Sequence, residues 1–253
     1  MNLRRIARTC VLFICTVLLA ATALQAAPAP VTYKSGDETV KATVYLPAGS
    51  GAHAAIVLVP EWWGVTDWIR AQAQDFAGLG YVVLVADLYR GQSTSDPAVA
   101  HELMRGLPED RAVRDLVSAA SYLGTRKDVR KDSIGTVGWC MGGGYALKLA
   151  VADKDIRAVA VNYGAPVTDK AALAAMPARV LGNFGALDRG ITPADVHEFE
   201  AALKADGKSP DIKIYADAGH AFQNPGNKDG YRPADTSDAH DRMVAFFRDT
   251  LQP

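Results

Sequence analysis

Short runs of apolar, β-branched residues alternate along the chain with longer amphipathic runs. The short runs lack a strict alternation of apolar and polar positions, which indicates strands that are covered on both faces of a sheet. The longer runs predict helices that bury one apolar face. The predicted strands span 42–48, 54–60, 81–89, 133–139, 157–163, 178–185 and 211–218. The predicted helices span 67–79, 109–124, 141–153, 194–206 and 238–251.

The order of these elements predicts one α/β domain over residues 27–253. Because strands and helices alternate, we expect a mostly parallel sheet with helices on both faces. Pro193 and Asp195 are typical of a helix start, and Gly80 is typical of a helix end. The stretch 224–237 is rich in Asn, Pro, Gly and Asp, and it is predicted to be a long functional loop.

The first 26 residues have the pattern of a secretory signal peptide. A basic start, MNLRRIARTC, is followed by an apolar run and then by small residues and prolines. This order predicts cleavage after Ala26, export across the inner membrane and a periplasmic location. The alternative is a retained membrane anchor, for which the apolar run is short, since a spanning helix needs about 20 residues. We therefore expect no stable membrane anchor.

Composition and charge narrow the classes of function. The 253 residues are 49% hydrophobic and 22% charged, which is an ordinary globular composition. The formal net charge of −1 gives no sign of a nucleic-acid partner, and removal of the three leader arginines would change it to −4. No metal-ligand cluster or nucleotide-binding motif is visible in the sequence, so neither a metal nor a cofactor is expected.

Cys140 is the one cysteine that would remain after cleavage, and glycines surround it. Gly138 and Gly142 complete the pattern G-x-nucleophile-x-G, with cysteine where serine is usual. The pattern predicts a sharp turn that lifts the thiol to the carboxyl edge of the sheet. The start of the following helix would favour a thiolate and a developing oxyanion, with the Met141 amide as one donor. The alternative is a buried cysteine that packs as a small hydrophobic residue.

A nucleophile of this type needs a histidine further along the chain. His197 and His240 fall within predicted helices and are interpreted as surface residues. His220 follows the strand 211–218, where a loop leaves the edge of the sheet, and is the predicted general base. A structural loop histidine is the alternative.

The acid that orients this base is expected after the preceding strand. Asp188 lies just beyond the strand 178–185 and is favoured over its rivals Asp195 and Asp217. Asp195 has the position of a first-turn helix acid. Asp217 lies too close to His220 in sequence to face it comfortably.

Several segments together carry a family signature. The cysteine and histidine motifs read GWCMGG and AGHAF, and the acid lies between them in the chain. Three further segments are VLVPEWWGV at 57–65, YVVLVADLYRGQ at 81–92 and NYGAP at 162–166. These segments resemble the dienelactone hydrolase family of α/β-hydrolases over nearly all of the chain after the leader. The resemblance implies the α/β-hydrolase fold and hydrolysis of ester or lactone bonds.

The resemblance also implies roles for residues around the nucleophile. Glu61 matches a family glutamate that lies near the resting thiol and is displaced when substrate binds, so that the thiolate then forms. Such an arrangement keeps the resting cysteine as a thiol, because a permanently exposed thiolate would be oxidised. By the same match, the amide of Trp62 is the second oxyanion donor. The alternative for Glu61 is a loop carboxylate that makes a surface hydrogen bond.

Two departures from the family pattern affect the substrate. Family members that cleave dienelactone hold the substrate carboxylate with two arginines, and this chain has Gly91 and Asn224 at those positions. Arg90, one position early, is the predicted substitute, and Arg232 is a second candidate. Aromatic residues near the site would suit a flat or apolar acyl group or lactone. The other predicted substrate-binding residues are Trp63, Trp139 and Phe222.

The sequence therefore predicts an exported cysteine hydrolase with a Cys-His-Asp triad, a thioester intermediate and a small ester or lactone as substrate. Two alternatives remain open. One is a periplasmic ligand-binding protein on a hydrolase scaffold, and the other is an acyltransferase that passes the acyl group to an alcohol. A monomer or a small homo-oligomer is expected.

Overall fold

The computed structural model describes residues 26–252, and one eight-stranded sheet runs through them. The strands are β1 (Ala29–Ser35), β2 (Glu38–Tyr45), β3 (His53–Val59), β4 (Val82–Ala86), β5 (Val129–Trp139), β6 (Ile156–Asn162), β7 (Arg179–Gly185) and β8 (Asp211–Tyr215). Their order across the sheet is β1-β2-β4-β3-β5-β6-β7-β8. Strands β3 to β8 are parallel, whereas β1 and β2 form an antiparallel hairpin at one edge.

Helices cover both faces of this sheet. They are α1 (Asp67–Gly78), α2 (Pro97–Arg105), α3 (Glu109–Thr125), α4 (Met141–Ala152), α5 (Lys170–Ala175), α6 (Pro193–Ala205) and α7 (Pro233–Leu251). Helices α1 and α7 pack on one face, and α3, α4, α5 and α6 pack on the other. Strands β3 and β4 are buried almost throughout, because a parallel sheet between two helical layers has no solvent-facing side. The predicted fold class is confirmed.

Some elements differ from the sequence prediction. The pattern does not predict β1, α2 or α5. Helix α2 buries only Ala100 and α5 only Leu173, and both helices are short. Helix α7 begins at Pro233 rather than at 238, since proline is favoured in the first turn of a helix. The predicted loop 224–237 is therefore shorter by five residues at its end.

The described part of the chain contains no helix with the length and apolar character that a membrane span requires. The predicted signal peptide lies, apart from Ala26, outside the described residues.

The candidate site residues lie at the carboxyl edge of the parallel strands. Glu61 follows β3, Cys140 follows β5, Tyr163 follows β6, Asp188 follows β7 and His220 follows β8. Since parallel strands end at the same edge, the loops that leave them converge there.

Candidate active site

The chain turns sharply at Cys140, between β5 and α4. The backbone of this residue has φ 55° and ψ −124°, a conformation that costs an L-residue about 1–3 kcal/mol. Gly142 permits the turn, because a Cβ atom there would collide with the carbonyl oxygens of Val59 and Pro60. The first turn of α4 thereby packs against the end of β3. The half-buried Cys140 thiol stands at the start of the helix.

Cys140, His220 and Asp188 form one hydrogen-bonded chain. His220 Nε2 lies 3.1 Å from Cys140 Sγ, and His220 Nδ1 lies 2.7 Å from Asp188 Oδ2. Asp188 Oδ1 accepts hydrogen bonds from the amides of Gly190 and Ile191 at 2.9 and 3.1 Å. The structure thus brings the three predicted residues together in the order of a nucleophile, a base and an orienting acid.

The electrostatics of this chain favour an ionised acid beside a protonated base. Burial would raise the pKa of Asp188, but hydrogen bonds from His220 and two backbone amides hold that pKa below its usual value. Burial would lower the pKa of His220, yet its hydrogen bonds with Asp188 and Cys140 raise it to about 10. The hydrogen bonds at both ring nitrogens therefore favour the protonated form of the imidazole.

The acids and histidines that were alternatives to Asp188 and His220 lie outside the hydrogen-bonded chain. Asp195 completes a capping box at the start of α6, and Asp217 does not enter the hydrogen-bonded chain of the site. His197 lies exposed on α6. His240 on α7 pairs with Asp75 on α1 at 2.7 Å. His197 and His240 therefore lie on helices away from the site, as their predicted helices indicated.

The loop after β8 has to cross the sheet edge before His220 can reach Cys140. Strands β6 and β7 lie between β5 and β8, which is a span of about 14 Å at roughly 4.8 Å per strand. Gln223 fixes this crossing. Its Oε1 accepts a hydrogen bond from Trp139 Nε1 at 2.9 Å, and its Nε2 donates to Asn162 Oδ1 at 3.0 Å.

A buried amide layer, formed by Asn162, Asn183 and Gln223, lies beneath the site. Asn183 Nδ2 donates to Asn162 Oδ1 at 2.9 Å, and Asn162 Nδ2 donates to the Gly138 carbonyl at 3.2 Å. Arg242 from α7 donates to Asn183 Oδ1. The layer therefore ties the histidine loop to β5, β6, β7 and α7, so the position of His220 depends on all of them.

Glu61 is held by two neutral groups. Its Oε2 accepts a hydrogen bond from Asn224 Nδ2 at 2.6 Å, and its Oε1 accepts one from the Tyr163 hydroxyl at 3.5 Å. Asn224 Oδ1 accepts from the Gly226 amide at 2.8 Å, which fixes the orientation of the side-chain amide. Burial raises the pKa of Glu61 to about 7, although Asn224, the charge of His220 and Tyr163 oppose the rise. Glu61 thus contacts the histidine loop through Asn224.

Two backbone amides near the thiol have no backbone acceptor among the described residues. They belong to Met141, the first residue of α4, and to Trp62, which follows Glu61. The first N–H groups of a helix have no partner within it and are available to a ligand. Both amides remain candidates for the stabilisation of an oxyanion.

A cavity of about 860 Å³ opens over Cys140 and His220. This volume is within the range of roughly 300–1,000 Å³ for small-molecule sites. The described lining residues include three tryptophans and neither lysine nor arginine. The rest of the wall comes from residues 61–63, 66–68, 94–95, 221 and 224–227, together with Met104.

Trp62, Trp63 and Trp68 form a tryptophan wall in the cavity. This wall is fixed to the loop that follows β4. Gly64 and Ser93 form an isolated antiparallel bridge, and the Thr94 amide donates to the Trp63 carbonyl at 3.0 Å. Gly64 has φ 80°, and a Cβ atom there would lie 2.5 Å from the Gln92 carbonyl oxygen. The close approach therefore requires glycine at this position.

Arg90 is not a substrate-binding residue in the structure, which corrects the prediction. Its guanidinium pairs with the buried Asp115 at 2.8 Å and with Glu38 at 3.0 Å, away from the cavity. A buried carboxylate without a partner would be costly, and Arg90 supplies that partner. Arg232 is likewise engaged elsewhere, since its Nε donates to the Asp217 carbonyl at 3.0 Å.

Trp139 and Phe222 also lie outside the cavity, and both are fully buried. Successive side chains at a strand end point to opposite faces, so Trp139 points away from Cys140 and packs edge-on against Trp68 at 5.4 Å. The ring of Phe222 packs among other aromatic rings beneath the site. Of the predicted substrate-binding residues, Trp63 lines the cavity.

The sequence reasoning missed other residues of the site. Tyr163 contacts Glu61 through its hydroxyl group, and its ring packs edge-on against His220 at 5.3 Å. Its position as the last residue of a predicted strand was a usable signal. Met104 belongs to α2, which the pattern did not predict, and Trp68 both lines the cavity and packs on the core.

Comparison with known proteins finds consistent similarity. The dienelactone hydrolase family matches residues 40–251. A Methylorubrum extorquens protein provisionally named carboxymethylenebutenolidase is 29% identical over 226 residues, which cover 84% of this chain and 77% of that protein. A Bradyrhizobium protein provisionally named 2-oxo-3-(5-oxofuran-2-ylidene)propanoate lactonase is 29% identical, over 80% of this chain and 86% of its own. The crystal structure of a Klebsiella pneumoniae protein provisionally named dienelactone hydrolase has a TM-score of 0.78 at 25% identity, covering 87% of this chain and 98% of that one.

Proposed function

The chain belongs to the dienelactone hydrolase family, and from that premise we propose that it hydrolyses small esters or lactones through a thioester on Cys140. The observation that carries the proposal is the hydrogen-bonded chain of Cys140, His220 and Asp188, with distances of 3.1 and 2.7 Å. This chain opens into a cavity of small-molecule size. The names of the two relatives, a carboxymethylenebutenolidase and a lactonase, support the same class of bond.

In the first half of the reaction, the Cys140 thiolate attacks the carbonyl carbon and a carbon–sulfur bond forms. The carbonyl electron pair moves to oxygen, where the amides of Met141 and Trp62 stabilise the charge. When the intermediate collapses, the bond to the leaving alcohol breaks, and the His220 imidazolium gives its proton to that oxygen. In a lactone the alcohol stays attached and the ring opens.

In the second half, neutral His220 removes a proton from a water molecule that attacks the thioester carbonyl. The carbon–sulfur bond breaks, and the sulfur leaves as a thiolate. The carboxylic acid is released and loses its proton to solvent, so the imidazolium–thiolate pair is restored. Asp188 stabilises the imidazolium whenever it carries the proton.

We propose that Glu61 makes no contact with the thiol in the resting enzyme. In the family arrangement that the resemblance implies, a glutamate stays near the thiol until substrate displaces it. Here Asn224 and Tyr163 hold Glu61, while His220 holds Cys140. These pairings support a thiolate that is ready to react without displacement of Glu61.

Export to the periplasm is also proposed, and it rests on the leader pattern of residues 1–26. Amino-terminal sequencing of the protein recovered from a periplasmic fraction checks it. A sequence that starts after Ala26 supports export, whereas an intact leader in the membrane fraction contradicts it.

The test of the hydrolase is turnover of p-nitrophenyl acetate by wild type, Cys140→Ala, and the matched pair His220→Gln and His197→Gln. We expect a loss of at least about 100-fold in the first two variants and the wild-type rate in the third, whose histidine is exposed on α6. Equal rates in wild type and Cys140→Ala would refute the nucleophile. Saturable ligand binding without turnover would favour a binding protein, and ester formation from an added alcohol would favour acyl transfer.

A further inference from the structure

The cavity over Cys140 carries acidic groups and no basic side chain of the lysine or arginine type. Its described lining includes the carboxylates of Glu61 and Asp67. Arg70 lies 3.7 Å from Asp67, but it donates to the Val65 carbonyl at 3.3 Å and does not line the cavity. A substrate carboxylate would therefore lose hydration in this cavity without gaining a charged partner.

Two side-chain donors near the thiol, His220 and Asn224, are already committed to other partners. His220 lies between Asp188 at 2.7 Å and Cys140 at 3.1 Å, so both of its ring nitrogens have partners. An anion that competed for His220 would break the pair that attacks the substrate. The Asn224 Nδ2 group donates to Glu61 at 2.6 Å. Neither residue is therefore free to receive a carboxylate.

The rest of the wall suits an uncharged ring. Trp62 and Trp63 contact each other with ring centroids 4.7 Å apart, and Trp68, Met104 and Pro225 extend the apolar surface. A cavity of about 860 Å³ is much larger than an acetyl group requires. Indole rings bind flat apolar groups by stacking and by edge contacts.

We infer that this site takes uncharged esters or lactones with an apolar or aromatic acyl portion and discriminates against substrates that carry a carboxylate. The inference rests on the proposed hydrolase function and names its substrate class. Like charges in the wall and the absence of lysine and arginine from its described lining act in the same direction, because both disfavour the anion.

Turnover of two matched esters tests the inference. The ratio of kcat/KM for p-nitrophenyl valerate to that for p-nitrophenyl hemisuccinate is measured at low ionic strength with wild type. The two acyl chains have similar length and differ in one carboxylate. We expect a ratio of at least about ten in favour of the valerate, equivalent to about 1.4 kcal/mol. The ratio should fall as salt is added, since salt screens the exposed Asp67.

A cation placed in the wall should weaken or cancel the preference. Ser95 is an exposed wall residue, and none of the described hydrogen bonds uses its hydroxyl group. Ser95→Arg should lower the valerate-to-hemisuccinate ratio by about tenfold, because it offers the carboxylate a partner. Ser95→Gln, which is long and neutral, is the matched control and should leave the ratio as in wild type.

Binding without turnover provides an independent measurement. Cys140→Ala is titrated with phthalide and with phthalide-3-carboxylate, and quenching of tryptophan fluorescence reports occupancy, since Trp62 and Trp63 line the cavity. Phthalide should bind at least about ten times more tightly. Equal or tighter binding of the carboxylate would overturn the inference.

The two proposals fail in distinguishable ways. Hemisuccinate turnover as fast as valerate turnover would overturn the inference on substrate charge and leave the hydrolase intact. Absence of turnover on both esters would count against the hydrolase, and the two phthalide dissociation constants would then decide whether the cavity discriminates against a carboxylate.

Discussion

Replacement of Glu61 by glutamine removes a buried carboxylate and keeps its shape and one acceptor oxygen. Glu61 is 1% exposed, and burial raises its pKa from 4.5 to about 7. A tenfold change in a protonation equilibrium is worth about 1.4 kcal/mol, so this difference corresponds to about 3 kcal/mol of folding free energy.

The sign of the effect follows from where the proton is held more tightly. Below pH 4.5 both the folded and the unfolded chain keep the Glu61 proton, and the carboxyl group imposes no penalty on folding. Between pH 4.5 and about 7 the unfolded chain loses this proton first, which lowers the free energy of unfolding. Glutamine has no such proton. The stability of Glu61→Gln relative to wild type should therefore rise by about 3 kcal/mol from pH 4.5 to pH 8.

Urea denaturation, followed by tryptophan fluorescence at several pH values and constant ionic strength, measures this difference. Glu198→Gln removes an exposed carboxylate from α6 and serves as the matched control, whose profile should run parallel to that of wild type. A stability difference between Glu61→Gln and wild type that is equal at pH 4.5 and pH 8 would refute the reasoning, because burial of an ionisable group would then not be its source.

Three further changes test the site and its surroundings. Asp188→Asn should lower kcat by about 1,000-fold in an ester assay, because an amide oriented by the loop N–H groups presents its own donor to His220 and selects the wrong tautomer. Gly64→Ala should displace the tryptophan wall and lower kcat/KM several-fold more for a valerate than for an acetate ester, since the new Cβ atom would lie 2.5 Å from a carbonyl oxygen. Arg90→Met should lower the free energy of unfolding by about 3 kcal/mol, because Asp115 loses its partner, while KM for neutral esters stays unchanged.

Controls and contrary results are specific to each change. Asp195→Asn lies in the capping box of the next helix and should keep the wild-type kcat. Near-normal activity in Asp188→Asn would contradict its orienting role. An unchanged valerate-to-acetate ratio in Gly64→Ala would show that the bridge does not fix the wall. A raised KM with intact stability in Arg90→Met would restore the substrate-binding role that its ion pairs contradict.

The parallel core of the fold was predictable because its strands are continuous apolar runs. Strands β3, β5, β6 and β7 lie close to their predicted positions, and both sheet faces are covered as the runs indicated. Strand β1 lies at an edge with alternating exposed residues, and α2 and α5 each bury one residue. The prediction depended on continuous apolar runs and on long amphipathic runs, and these short elements provide neither.

The candidate triad was predictable for a different reason. Cys140, Asp188 and His220 each follow a parallel strand, and parallel strands end at one edge of the sheet. The direction of a side chain within a turn has no such rule. Trp139 precedes the nucleophile yet points to the opposite face, and Arg90, at φ 57°, reaches back to α3. Proximity to the site in sequence therefore predicted substrate contacts for residues that lie outside the cavity in the structure.

The buried amide layer has a consequence for evolution of the family. Within this layer, Asn162 Oδ1 accepts hydrogen bonds from the side-chain amides of both Asn183 and Gln223. A single apolar replacement would leave a buried polar group within the layer without a partner, at a cost of about 1–3 kcal/mol, whereas joint replacement would remove both sides of the bonds within the layer. Homologues are therefore expected to retain or exchange these three residues as a set. The covariation should extend to Trp139, whose indole depends on the same glutamine.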